Sequence, residues 1–145
     1  MCGICGELRV DGQAPDTGAI KRMLSKLERR GPDHEGLYVQ GAVAFGHRRL
    51  SVIDLSSASN QPWIDEALGL ALVFNGAIYN YKELRAELIA EGFGFVSDGD
   101  TEVVLKAYAA WGESFATRLQ GMFAIAVWDQ KRRQLVLVRD RNDTV

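Results

Sequence analysis

The sequence predicts an α+β fold in which helices cover antiparallel sheets, and three observations support this. Segments with the alternating apolar pattern of strands are grouped towards the two ends of the 145-residue chain. Segments with the apolar spacing of helices lie mainly between them, and the strands within each group are joined by short turns. Neighbouring strands in this order pair most simply as antiparallel neighbours, with the helices packed against the resulting sheets.

The chain begins with a predicted strand and a predicted helix. Ile4 to Val10 alternates as a strand does and ends at the turn residues Asp11-Gly12. A helix is predicted after Asp16-Thr17, which can cap its N-terminus. Arg29 and Arg30 are expected in its last turn, and Gly31-Pro32 should end it. The residues at helical spacing that should face inward are Ile20, Met23, Leu24 and Leu27.

The remaining elements follow the same two patterns. The stretch LYVQGAVAFGHRRLSVIDL is predicted to form two strands joined by a turn at Gln40-Gly41, and a further strand should run from Leu68 to Phe74 and end at Asn75-Gly76. Helices are expected from Tyr81 to Glu91 and after Asp100, and MFAIAVWD and QLVLVRD should be strands joined by a charged turn. The inward residues of the two helices should be Tyr81, Leu84 and Leu88, then Val104, Ala107, Tyr108 and Trp111.

The composition is that of an ordinary globular domain and argues against several classes of protein. Apolar residues make up 47% of the chain and charged residues 25%, and the formal net charge is −2. This charge argues against general binding to nucleic acid or to an anionic membrane. No apolar run approaches the roughly 18 residues of a membrane span, and the charges in ICGELRVDG do not fit a signal peptide. We therefore expect a cytoplasmic location.

The only two cysteines lie within the first five residues and allow several interpretations. Cys2 and Cys5 could form a redox pair, but the strand pattern after Cys5 removes the helix N-terminus that activates such pairs. They could share a zinc ion with His34 and His47, although these histidines lack the close spacing of zinc fingers. They could also be ordinary small core residues.

The position of Cys2 beside the first methionine suggests a fourth interpretation. Removal of Met1, which a small second residue permits, would give Cys2 both a thiol and a free α-amine. The reference pKa of an α-amine is near 8, so a usable fraction of such groups is neutral at pH 7. The amine can then accept the thiol proton and later return it to a leaving group. One residue thus supplies nucleophile and base, and Cys5 would be structural.

Seven segments of the chain, in their order and spacing, resemble the glutaminase domain of the class II glutamine amidotransferases. They are MCGICG at 1–6, RRGPD at 29–33, HRRLSVID at 47–54, FNGAIYN at 74–80, GDTEVVL at 99–105, LQGMFAIAVWD at 119–129 and RDR at 139–141. The sequence is most similar to the asparagine-synthetase branch of this family of N-terminal-nucleophile hydrolases. The resemblance implies a four-layer αββα sandwich of two antiparallel sheets and an enzyme that hydrolyses glutamine in amino-acid biosynthesis.

The resemblance also implies which residues react with glutamine. Cys2 would attack the side-chain amide, releasing ammonia and forming a γ-glutamyl thioester that water hydrolyses to glutamate. The side-chain amide of Asn75 and the backbone N–H of Gly76 would stabilise the oxyanion. Without the resemblance, Asn75-Gly76 would instead predict a tight hairpin turn.

Other residues are implied to bind the α-amino-acid part of glutamine. Arg49 would hold the α-carboxylate with its planar fork of donors, and Leu50 and Ile53 would line the pocket. Asp100 would accept the α-ammonium group. The alternatives are that Arg49 is merely a paired inward residue and that Asp100 is an ordinary helix N-cap.

One position departs from the family pattern. Ala77 stands where the family usually has a glutamate that also accepts the α-ammonium group. One charge-assisted hydrogen bond contributes about 1.5–3 kcal/mol, so glutamine binding should weaken about 10- to 100-fold unless Asp98 or an ordered water compensates, which we favour. In having a small residue at this position, the sequence resembles the branch of the family that amidates N-acetylglutaminylglutamine.

The resemblance also has implications for domains, partners and cofactors. Related chains continue beyond RDR with further strands and an ATP-using synthetase domain, so residues 1–145 are expected to be a glutaminase domain that is incomplete at its C-terminal end. The implied partners are L-glutamine and a synthetase domain or subunit that receives ammonia, and a homodimer is a further candidate. The glutaminase step implies no cofactor, whereas ATP and Mg²⁺ belong to the synthetase step. Two rival functions are an inactive domain with a structural or regulatory role and the zinc module.

Overall fold

The computed structural model describes residues 1–141 as two antiparallel sheets between layers of helices. The strands are β1 (Gly3–Leu8), β2 (His34–Gln40), β3 (Val43–Arg49), β4 (Trp63–Asp65), β5 (Leu70–Ile78), β6 (Gly121–Asp129) and β7 (Gln134–Arg139). The helices are α1 (Thr17–Lys26), α2 (Tyr81–Ala90) and α3 (Asp100–Trp111), with short 3-10 helices at Ser57–Ser59 and Gly112–Arg118. The first sheet has the order β1-β3-β2 and the second has the order β4-β5-β6-β7.

The apolar residues form three separate clusters that define four layers. Residues of α1 pack on the first sheet, and residues of β3 pack against β5 and β6 between the sheets. A third and larger cluster joins the second sheet to α2 and α3. In β5, Ala71 and Val73 face the first sheet, whereas Leu72 and Phe74 face the helices. This alternation follows from the two-residue period of a strand, and it confirms the predicted αββα sandwich.

Most predicted elements are confirmed, and the first helix shows where the apolar pattern was misread. The carboxylate of Asp16 caps α1 by accepting from the N–H of Ala19 at 3.0 Å. Ile20 and Leu24 are fully buried, but Met23 is 38% exposed. The helix ends at Lys26, so the prediction that it extended to Arg29 and Arg30 was wrong.

The prediction that the strand ended at Asn75-Gly76 was also wrong, because β5 continues through these residues to Ile78. Gly76 has a φ of +142°, and it lies opposite Phe123 of β6. A Cβ atom at this position would lie 1.9 Å from the carbonyl oxygen of Met122. The glycine is therefore required for the close approach of two strands, and the alternative that it forms a hairpin turn is contradicted.

The sequence also failed to indicate β4, a strand of three residues. It pairs with residues 70–72 at one edge of β5, and within residues 1–141 no strand pairs with the rest of that edge. In the described residues, no helix has both the length and the apolar character required to span a membrane.

Candidate active site

A cavity of about 450 Å³ lies at one end of the two sheets. β1 begins at this end, β3 ends here, and β5 reaches it with its last residues. The residues that the family resemblance assigned to the glutamine site line this cavity: Cys2, Arg49, Leu50, Ile53, Asn75, Gly76, Ala77 and Asp100. They come from segments nearly 100 residues apart in the chain, so the fold brings the predicted set together.

Cys2 lies at the start of β1 with its thiol beside the backbone of Leu50. The N–H of Leu50 donates to Sγ at 3.3 Å, and Sγ lies 3.7 Å from the carbonyl oxygen of the same residue. Arg30 fixes the backbone here by donating from Nε to the carbonyl oxygen of Cys2 at 3.2 Å. Met1 also lines the cavity and is 51% exposed.

Cys5 lies on the opposite face of β1. Ile4 packs in the cluster between the sheets, whereas Cys5 packs with Ile20 and Leu24 against α1. Burial raises the pKa of the Cys5 thiol, although a hydrogen bond with the Gly46 backbone opposes this. The two thiols therefore occupy different environments despite their proximity in sequence.

The zinc alternative requires four residues that the structure does not bring together. Cys2 faces the cavity and Cys5 faces α1, while the fully buried His47 directs Nε2 to the carbonyl oxygen of Phe74 at 3.2 Å. Within residues 1–141, no group of three or more potential metal ligands is close enough to hold an ion.

Asn75, Gly76 and Ala77 form the wall of the cavity that belongs to the second sheet. Asn75 and Ala77 continue the alternation of Ala71 and Val73, so their side chains lie on the face towards the first sheet. Within the described part of the chain, the buried Oδ1 of Asn75 makes no hydrogen bond. A strand therefore presents an amide side chain and a closely approached glycine at the cavity.

Arg49, which is only 6% exposed, holds the loop after β3, several residues of which line the cavity. Its Nη1 donates to the carbonyl oxygen of Ser56 at 2.6 Å and to Oδ1 of Asn60 at 2.7 Å, and Nη2 donates to the carbonyl oxygen of Asp54. None of these partners is a carboxylate, so Arg49 is not simply half of an ion pair. All the described hydrogen bonds of its guanidinium group within residues 1–141 are made by Nη1 and Nη2, and none by Nε.

Asp100 is the first residue of α3, and the N-cap is Gly99. The alternative that Asp100 is an ordinary N-cap is therefore wrong. Its Oδ2 instead accepts from the N–H of Ile78 at 3.0 Å, which joins α3 to the end of β5. Burial raises the pKa of the Asp100 carboxyl group, and hydrogen bonds from the backbone partly offset this.

The structure does not bring Asp98 to the cavity. Its side chain is 97% exposed and lies 3.7 Å from the guanidinium group of Arg85. This arrangement therefore does not support the prediction that Asp98 replaces the missing glutamate at position 77 as an acceptor for the α-ammonium group.

Sequence reasoning assigned no role to several residues that shape the cavity. Asp33 accepts from the N–H of Ser51 at 2.8 Å. The carboxylate of Asp54 accepts from the hydroxyl of Ser59 at 2.7 Å and from the backbone N–H groups of residues 56 and 98, which ties the loop over the cavity to the segment before α3. Hydrogen bonds with Ser56 and Ser59 lower the pKa of Asp54 to about 2. The only sequence signal for Asp33 and Asp54 is that both lie within the segments that resemble the family.

His47 provides a prediction about stability and pH. Burial lowers the pKa of His47 to about 4, and the nearby His34 and Arg49 also act to lower it. The hydrogen bond to the carbonyl group of Phe74 acts in the opposite direction and raises the pKa. Between pH 6.5 and 4 the unfolded chain therefore binds a proton that the folded protein does not. The contribution of His47 to the free energy of unfolding is therefore fully present above pH 6.5. It is lost as the pH falls towards 4, by up to about 3 kcal/mol.

Urea unfolding of the wild type and of His47→Gln between pH 7 and pH 4 measures this contribution. The free energy of unfolding of the wild type should fall more steeply with decreasing pH. Asp100, whose raised pKa acts in the opposite sense, is present in both proteins and cancels in the comparison. Parallel stability curves would contradict the assignment.

Comparison with known proteins gives consistent results. A family model described as a glutamine amidotransferase domain matches residues 1–143. Asparagine synthetase [glutamine-hydrolyzing] 1 of Bacillus subtilis (strain 168) is 41% identical over 143 residues, covering 97% of this chain and 22% of that protein. Amidase chry2 of Gibberella zeae is 39% identical over 153 residues, covering 97% of this chain and 23% of that protein. The chain thus spans under a quarter of the length of these curated relatives.

A solved structure supports the fold. It is glutamine phosphoribosylpyrophosphate amidotransferase from B. subtilis, complexed with ADP and GMP, which superposes with a TM-score of 0.57 at 24% sequence identity. The match covers 70% of this chain and 24% of that chain. At this level of identity the likeness concerns the arrangement of sheets and helices.

Proposed function

This chain belongs to the glutamine amidotransferase domain family, and we propose that it hydrolyses glutamine at Cys2 to release ammonia. The observation that carries the proposal is that Cys2, Asn75-Gly76, Arg49 and Asp100 line one cavity. These residues supply a nucleophile, oxyanion donors and groups of opposite charge for an α-amino acid.

In the proposed reaction, the Cys2 thiol attacks the amide carbon of glutamine. The α-amine that is freed by removal of Met1 accepts the thiol proton, and this proton passes to the departing nitrogen as ammonia leaves. Water then attacks the thioester, which releases glutamate and restores the thiol. The N–H of Leu50, 3.3 Å from Sγ, supports this role because it stabilises negative charge developing on sulfur.

The tetrahedral intermediate requires donors that are in place before the reaction. We assign this task to the side-chain amide of Asn75 and the N–H of Gly76, because their segment is part of a strand and not a flexible turn. Such a donor typically contributes about 3–4 kcal/mol to lowering the barrier.

The α-amino-acid end of glutamine is assigned to Arg49 and Asp100. The unpaired Nε of Arg49 can donate to the α-carboxylate while Nη1 and Nη2 hold the loop through the bonds to Ser56, Asn60 and Asp54. Asp100 uses Oδ2 for Ile78 and can accept the α-ammonium group with its other oxygen. Leu50 and Ile53 line the cavity beside Arg49.

Ala77 leads to a prediction about affinity. Because Asp98 faces solvent, we expect Ala77→Glu to add an acceptor for the α-ammonium group and to lower the Michaelis constant for glutamine about 10-fold or more. The turnover number should change little, since this contact is equally strong in the ground and transition states. Steady-state glutaminase kinetics measure both constants.

Ala77→Gln is the matched control, because it has nearly the same size as glutamate without the charge. An unchanged Michaelis constant in Ala77→Glu would show that another group already serves the ammonium. The carboxylates of Asp54 and Asp140, which also line the cavity, are the first candidates for that role.

The ammonia acceptor is proposed from the relatives. Because several of them are asparagine synthetases, we assign the ammonia to a carboxylate that a synthetase domain or subunit activates. ATP and Mg²⁺ would act there, and no step described for this chain uses them. A second copy of the chain remains a candidate partner.

The decisive test is a glutaminase assay of the purified full-length protein. Incubation with glutamine should yield glutamate and ammonia in equal amounts. Absence of both products from a folded protein whose N-terminal residue is Cys2 would reject the proposal and favour the structural or regulatory role.

A further inference from the structure

The two backbone polar groups of Phe74 are bonded by side chains instead of by a neighbouring strand. The short strand β4 pairs with β5 only as far as Leu72. Beyond this point, Oε1 of Gln61 accepts from the N–H of Phe74 at 2.6 Å, and Nε2 of His47 lies 3.2 Å from its carbonyl oxygen. Both the N–H and the carbonyl group of the residue that precedes Asn75 are thus held by side chains.

The two side chains that hold Phe74 are themselves immobilised. His47 is fully buried and Gln61 is 5% exposed. Nε2 of Gln61 lies 3.4 Å from the hydroxyl of Thr101 in α3, and His47 belongs to β3 of the other sheet. These hydrogen bonds therefore connect the backbone of Phe74 to the first sheet through His47 and to α3 through Gln61.

Neutral His47 fits this arrangement. With its pKa lowered by burial, the ring is uncharged at neutral pH and donates from Nε2 to the carbonyl oxygen of Phe74. Its Nδ1 is buried and has no hydrogen-bond partner within residues 1–141. The ring therefore makes its one hydrogen bond at the backbone next to the cavity.

The same edge of β5 is held again beyond the cavity wall. Asp100 accepts from the N–H of Ile78 at 3.0 Å, so side chains anchor the strand both before and after Asn75–Ala77. On its other edge this segment pairs with β6 through residues 122–124. Donors for an oxyanion are effective when they are fixed before charge develops, because no energy is then spent in orienting them.

We propose that His47 and Gln61 are positioning residues that hold Phe74 so that Asn75 and Gly76 are aligned as oxyanion donors. This inference rests on the proposed glutaminase function. Neither side chain is required to touch the substrate for the effect. A small displacement of Phe74 would move both donors, and a misplacement of about 1 Å can reduce a rate by about two orders of magnitude.

The test uses four variants of the full-length protein. Gln61→Met and His47→Leu remove each bond to Phe74 at similar side-chain size, and His47→Gln restores a donor. Tyr108→Phe is the matched control, because it removes a buried hydrogen bond of 2.9 Å to Asp129, and neither of these residues lines the cavity. Active sites are counted by covalent titration with a diazo-ketone analogue of glutamine, and turnover is calculated per titrated site.

We expect Gln61→Met and His47→Leu to lower turnover per site about 10- to 100-fold with a Michaelis constant within about twofold of the wild type. His47→Gln should recover part of the loss, and Tyr108→Phe should leave turnover per site unchanged. Amide hydrogen exchange at Asn75 and Gly76 should accelerate in the first two variants alone.

The outcomes separate this inference from the proposed function. If the wild type hydrolyses glutamine and the two variants lose activity only in proportion to their titrated sites, the inference is wrong and the function stands. The same conclusion follows if Tyr108→Phe loses as much turnover per site. If the wild type releases no glutamate, both the proposed function and the inference that rests on it are overturned.

Discussion

Replacing Cys2 with alanine will reduce glutamine hydrolysis by at least about four orders of magnitude. No other residue can supply the sulfur that forms the thioester, and loss of a catalytic nucleophile typically removes most of the enzymatic acceleration. The fold should persist, because the described contacts of the Cys2 side chain are the two weak ones with the backbone of Leu50. Release of ammonia by the purified variant and its melting temperature test both expectations.

Cys5→Ala is the matched control for this experiment. Cys5 packs against α1, so its replacement should lower stability moderately and leave turnover per folded molecule unchanged. Because burial raises the pKa of the Cys5 thiol, a diazo-ketone analogue of glutamine should modify Cys2 much faster. A Cys2→Ala protein with substantial activity, or equal labelling of both thiols in the folded protein, would overturn the assignment of the nucleophile.

The sequence predicted which residues come together at the cavity better than it predicted the local structure that holds them. Cys2, Arg49 and Asp100 lie at or next to the ends of β1, β3 and α3, and such ends are visible in the apolar pattern. At Asn75-Gly76 the local signal misled, because this dipeptide is common in turns. The strand continues here because it pairs with β6, and a side chain at position 76 is excluded by the carbonyl group of Met122, nearly 50 residues further along the chain. A local pattern carries no information about such a contact.

His47 and Gln61 could not be assigned for a related reason. Both act on backbone atoms of Phe74, which lie 27 and 13 residues away in the chain, and any residue at position 74 other than proline would offer the same groups. The sequence therefore does not reveal that Phe74 is the residue to which His47 and Gln61 bind. In the sequence, His47 was named only as a zinc-ligand candidate and as the first residue of the segment HRRLSVID, and Gln61 lies in none of the quoted segments.

A second large loss of glutamine hydrolysis is expected when any residue precedes Cys2. With Met1 in place the nitrogen of Cys2 is part of a peptide bond, so the proposed base does not exist. General base catalysis typically contributes about 10²- to 10⁴-fold, and we expect a loss of this size. The test is a cleavable N-terminal fusion whose protease leaves Cys2 as the first residue. Its matched control is the same fusion with one glycine before Cys2.

The cleaved protein should hydrolyse glutamine, and the glycine-extended protein should do so about 10²- to 10⁴-fold more slowly. Both should melt at the same temperature, because Met1 lines the cavity and is half-exposed. Equal turnover in the two proteins would require another base among the residues around the cavity. Asp54 is a poor candidate, because hydrogen bonds from Ser56 and Ser59 lower its pKa to about 2. Asp100 and Asp140 each use Oδ2 to accept from a backbone N–H group, that of Ile78 and that of Phe123 respectively. The α-amine is therefore the base that the site favours, and a single added glycine is sufficient to remove it.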